Sequence, residues 1–116
     1  MRIAMMVTLS VVSMAAAGCG GSIPPPNDEW TAANTDVGAA EAGGAPAVPD
    51  AKLHLQLAQE DLQKSKTLID QDNKRAASLI AVARVEAQLA LSLAKAAQAA
   101  DLARQAQQDL QKAKGN

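Results

Sequence analysis

The chain has 116 residues, with eleven Lys plus Arg against twelve Asp plus Glu and a formal net charge of −1; it holds one tryptophan, no phenylalanine or tyrosine, one cysteine and one histidine. A near-neutral balance without basic runs lacks the electrostatic footprint of a nucleic-acid binder, and a lone cysteine excludes an internal disulfide. A core of Ala, Leu, Val and Ile buries little area per residue, so it suits helix–helix packing better than an enclosed enzyme pocket.

At the N-terminus, Arg2 precedes an almost uncharged apolar run from Ile3 to Ala17, too short for a bilayer-spanning helix. The run closes on Ala15-Ala16-Ala17-Gly18 and is followed by Cys19. A charged start, a short apolar middle and small residues before a cleavage point form an export signal. With Cys19 directly behind Gly18, the stretch resembles the bacterial lipobox, departing from it where Ala16 stands in place of the usual Leu. The resemblance implies a signal over residues 1–18, cleavage between Gly18 and Cys19, and acylation of Cys19, which anchors the protein in a membrane. Gly20, rather than Asp, follows the cysteine, and in proteobacterial lipoproteins this implies the outer membrane. The alternatives are an ordinary secretory signal that contains a cysteine, or an uncleaved anchor helix.

Residues 19–27 read as the acylated cysteine and a Gly- and Pro-rich linker, with Pro24-Pro25-Pro26 favouring an extended form. Eight such residues reach roughly 25 Å at about 3.1 Å each. A helical domain over 28–116 follows. Its first helix is expected from Asp28 to Gly43, with Asn27 as N-cap. Trp30, Ala33, Val37 and Ala40 share one face, and Gly43, Gly44, Pro46 and Pro49 break the helix.

The second helix is expected from Asp50, its cap, to Asp70. Ala51, Leu55, Ala58, Leu62, Ser65 and Ile69 form a seam that Leu53, Leu57 and Leu68 widen. After the turn Asp70-Gln71-Asp72-Asn73, capped by Asp72 or Asn73, the third helix runs from Lys74 to Lys114, about 60 Å at 1.5 Å per residue. Its polar positions between Ala76 and Ala103 reduce to a ribbon of Arg84, Gln88, Ser92, Lys95 and Gln98, and a helix so apolar contacts two neighbours. The expected fold is therefore all-α: a short helix and an antiparallel hairpin in a three-helix, coiled-coil-like bundle, with an overlong third helix. Helix two covers about half of helix three, so Ala96, Ala99, Ala100, Ala103 and Leu110 lack an intrachain partner. They are candidates for self-association or for another protein's helix; the alternative is a solvated single helix.

From Pro49 to Leu110 the chain resembles bacterial lipoproteins of the domain of unknown function 4398 family. The resemblance lies in the Pro ahead of the second helix, in the run His54-Leu55-Gln56-Leu57-Ala58, and in the stretch Ala87-Gln88-Leu89-Ala90-Leu91-Ser92-Leu93-Ala94. Relatives often have Gly in the turn, where this chain has Gln71-Asp72-Asn73. The resemblance implies an envelope lipoprotein and supplies no catalytic residues.

The residues that carry chemistry elsewhere are isolated. His54 is the only histidine, and metal sites need several converging ligands. Asp70 and Asp72 lack the Gly and distal Glu of a calcium loop. Ser13 and Ser22 have no nucleophile elbow. Glu86 is a boundary residue able to pair with Arg84 or Lys95, and Trp30 either plugs the bundle end or docks at the membrane interface. The expectation is a protein without catalytic, cofactor or metal residues: an outer-membrane lipoprotein facing the periplasm, structural or adaptor in role. The alternative is an accessory or inhibitory subunit of an envelope enzyme or transport complex.

Overall fold

The computed structural model describes residues 21–115. These form three helices and no strand: α1 (Asn27–Ala42), α2 (Pro49–Leu68) and α3 (Asn73–Lys114), with a single 3-10 turn at Ala45–Ala47 between α1 and α2. The all-α expectation holds, including the overlong last helix.

Helix starts differ from the sequence reading by one residue each, and for α1 and α2 the reason is proline. Pro26 caps α1: its carbonyl accepts the first helical bond, from the Trp30 amide at 3.0 Å, so Asn27 is the first helical residue and not the cap. Val48 caps α2 in the extended region with Pro49 at N1, where a fixed φ and a missing N–H cost nothing. Asp50 is thus inside the first turn, where it suits the helix dipole without capping. For α3 the side-chain cap is Asp72, whose Oδ1 accepts from the Arg75 amide at 3.0 Å. Asn73 holds the turn instead, accepting at Oδ1 from the Asp70 amide at 2.8 Å. Asp70 itself takes the left-handed conformation, φ 71°, which Asp tolerates better than most residues. Asp72→Ala should destabilise the protein by about 1 kcal/mol, read as a lower urea midpoint; an unchanged midpoint would remove the cap from the account.

Cross-links between helices set direction and register. Asp36 of α1 reaches Arg84 and Gln88 of α3, and the Gly43 carbonyl accepts from Gln98 Nε2 at 2.9 Å, so α1 runs parallel to α3. His54 of α2 meets Glu86 of α3, and Trp30 Nε1 donates to the Leu62 carbonyl at 3.3 Å, so α2 runs antiparallel to both. This register stacks the core in levels: Leu62 and Ile80, with the half-buried Trp30 beside them; then Ala33, Ala58 and Ala83; then Val37, Leu55 and Ala87; then Ala40, Ala51 and Ala90. Alanine at whole levels lets the backbones approach closely. Ser65, the one buried polar residue among those described, donates to the Leu62 carbonyl at 2.7 Å.

The chain leaves α1 through Gly43 and Gly44. Gly44 sits at φ 92°, a left-handed conformation that a residue with a Cβ adopts only under strain. Gly38, in contrast, is a helical residue whose absent Cβ would meet nothing within 4 Å. Gly38→Ala should stabilise by about 0.5–1 kcal/mol through helix propensity, and a thermal midpoint that falls would contradict that.

By length and composition α3 could cross a membrane, one 18-residue window averaging a hydropathy of 1.4. In the bundle it is the strip on which the other two helices pack, and its Arg84 and Glu86 are paired with α1 and α2.

Candidate interaction surface

Three of the polar residues of the α3 ribbon reach across to α1 and the residue that ends it. Arg84 Nε donates to Asp36 Oδ2 at 3.0 Å, and Gln88 Nε2 donates to the same oxygen at 3.3 Å. Together with Gln98 they seat α1 on α3 along the border of the core. Glu86 pairs with neither Arg84 nor Lys95. Its partner is His54, whose Nδ1 donates to Oε2 at 2.5 Å, with both side chains about one-quarter exposed. The pair locks α2 to α3, and the lone histidine thereby has a structural occupation. No group of three His, Cys, Asp or Glu is placed to hold a metal among the described residues.

Trp30 packs against the core at the bundle end that also carries the α2–α3 turn. The Lys66 ammonium lies over its ring, 5.3 Å from the centroid, a cation–π contact that shields the exposed face. The bundle-plug expectation for Trp30 matches this position. A shallow groove of about 510 Å³ separates α1 from α2 here, floored by Trp30, Val37 and Leu62 and rimmed by Asn34, Gln63 and Lys66. Gln59 and Glu41 tie it shut at one end with a 2.7 Å hydrogen bond.

The linker is pinned at that same end. Asn73 Nδ2 donates to the Ile23 carbonyl at 2.8 Å, so the chain enters the domain beside the turn. Gly18 and Cys19, the expected cleavage and acylation positions, lie outside the described residues. At the opposite end α3 outruns its partners. Its last hydrogen bond to another part of the bundle is Gln98 with Gly43, and the exposed residues 99–114 project as about 24 Å of helix at 1.5 Å per residue. Helix three is thus covered over more than the expected half, because the Gly43–Val48 connection extends the bundle beyond α2.

The expected interaction residues Ala96, Ala99, Ala100, Ala103 and Leu110 are all exposed. Ala96 is level with the bundle and faces away from it; the other four belong to the projection. Leu53 and Leu57 do not widen the α2 seam: they are 55% and 39% exposed. They lie on the side of the α2–α3 pair that α1 does not cover, so no third helix closes over them. On α3, Val82, Val85, Leu89 and Leu102 are exposed as well. The sequence reading passed them over because it counted apolar residues around the helix without knowing which side α1 and α2 occupy; their spacing was the available signal.

Compared with family models, with curated proteins and with solved structures, the chain matches none.

Proposed function

We propose that this chain is a non-enzymatic envelope lipoprotein, held at the outer membrane by acyl groups on Cys19 and acting in the periplasm as a structural or adaptor element, of the kind its resemblance to the domain of unknown function 4398 family implies. One observation carries the reading. The linker from Cys19 enters at the turn end, beside Asn73, while the uncovered part of α3 with its apolar side chains projects from the other. A tether at one end and an arm at the other is the layout an adaptor needs, since α3 spans about 63 Å at 1.5 Å per residue. Two or more acyl chains suffice for stable anchoring.

Metabolic labelling with palmitate tests the tether. Label should enter the wild-type chain and not Cys19→Ser; an unlabelled wild type overturns the proposal. Crosslinking in cells then tests the role: this chain itself or peptidoglycan as the main product supports it, whereas a single envelope enzyme points to the accessory-subunit reading.

A further inference from the structure

The exposed apolar residues of α3 are not scattered. Counting from Val82, steps of three and four pass through Val85, Leu89, Ser92 and Ala96, every one exposed. The same steps continue through Ala99, Ala103, Ala106, Leu110 and Ala113, again all exposed. Nine of these ten positions are apolar, over more than four heptads, which is the pattern of a coiled-coil seam. The seam lies on the back of α3, opposite the buried line of Ala76, Ala83, Ala87, Ala90 and Ala94.

One feature separates this seam from a merely helix-favouring surface. Beyond the bundle the core line turns polar, continuing as Asp101, Gln105, Gln108 and Lys112, while the back stays apolar. The projection is therefore built to be wet on the side facing its own bundle and covered on the other.

The flanking residues say what covers the seam. Set two copies of α3 antiparallel with Ala99 of one level with Ala103 of the other. The layers then pair Ala96 with Ala106, Ser92 with Leu110 and Leu89 with Ala113, placing each leucine against a small residue so that knobs and holes interleave. In that register Lys95 flanks Asp109 of the second copy, Glu86 flanks Lys114, and the two-fold axis repeats each pair. Each charged residue flanking the seam faces its opposite, with Lys95 and Asp109 carrying the complementarity because Glu86 is already bonded to His54 within its own copy. We propose that the back of α3 pairs with a second copy of this chain as an antiparallel, alanine-rich coiled coil, each copy's projection lying along the other's bundle. This deepens the adaptor reading by naming the partner, and it rests on that reading only for its cellular setting.

The test uses the full chain carrying Cys19→Ser, which removes both the acyl group and the native thiol, so that pairing is read apart from anchoring. Leu102 flanks the two-fold axis, and Leu102→Cys should oxidise to a disulfide-linked dimer. Leu110→Cys should not, because its two copies stand about 27 Å apart along the axis at 1.5 Å per residue. Lys95→Glu alone should weaken the dimer about five- to tenfold at low salt, as should Asp109→Lys alone, and the two together should restore it; all four substituted positions are exposed, so circular dichroism should report unchanged folding. Cross-linking at 110 without 102 means parallel pairing, and cross-linking at both means an unspecified register; either overturns the proposal. So does a monomer by analytical ultracentrifugation at about millimolar concentration, whatever the palmitate result.

Discussion

Replacing Ile80 by alanine should lower the stability of the bundle by about 2–5 kcal/mol, the range for removing a buried branched side chain whose cavity cannot fully collapse. Ile80 is 1% exposed and is the largest side chain in the described residues to be fully buried. Its level also contains Leu62 of α2, whose carbonyl accepts from Trp30 Nε1 of α1. The neighbouring level is alanine throughout, so nothing there can swing into the space. In a small domain, whose whole stability is of order 5–15 kcal/mol, such a loss is a large share. The measurement is a urea titration followed by circular dichroism: the midpoint should fall with the slope retained. Val85→Ala supplies the control, since it also trims a branched side chain of α3 but from an exposed site, and should change stability by no more than about 0.5 kcal/mol. Equal effects from the two substitutions would show that the register derived from the cross-links is wrong.

The opposite change at the next level should do damage of a different kind. Ala83 is fully buried at the level of Ala33 and Ala58, which are also fully buried. Ala83→Leu adds three carbons where three helix backbones lie close together, and overpacking of this sort costs typically 1–3 kcal/mol. The helices will not share the strain equally. α2 is joined to α3 by a short turn and by the His54–Glu86 hydrogen bond, whereas α1 is held by Arg84, Gln88 and Gln98 at the border of the core. The expected result is that α1 lifts away while the hairpin persists. Trp30, the sole aromatic residue, then leaves Leu62 and reports the change as red-shifted emission with most helical signal retained. Unshifted emission together with an unchanged midpoint would mean that the alanine level has room to spare.

Much of this architecture can be read without coordinates, for reasons visible in particular residues. Small and apolar residues at Ala51, Leu55, Ala58 and Leu62, with Ser65, keep a helical period, and all five are buried; likewise Ala33, Val37 and Ala40 of α1. Period reports which face of a helix turns inward, because burial of that face drives the folding. Helix ends were less legible. Asn27 and Asp50 have capping chemistry, yet Pro26 and Pro49 decide where α1 and α2 begin, since a proline's fixed φ sets the first turn whatever residue follows. The partners of Glu86 and Arg84 were not legible at all. Both face residues far away in the chain, and only the antiparallel placement of α2 and the parallel placement of α1 bring His54 and Asp36 to them.

The candidate surface divides the same way. Its presence follows from arithmetic on the chain: α3 has more apolar periodicity than two shorter helices can cover. Its location does not. Leu53 and Leu57 look like core residues and are exposed, while Gln88 and Arg84 look solvated and seat a helix. A period names faces relative to one helix axis, whereas burial depends on where the other axes lie. By itself, then, the sequence determined an all-α chain, its three helices and their inward faces, because these are local consequences of spacing and backbone preference. Only the tertiary structure decided that α1 and α2 share one side of α3 and leave its back bare for residues 82–113, because that choice lies in how three rods pack around a common line of alanines.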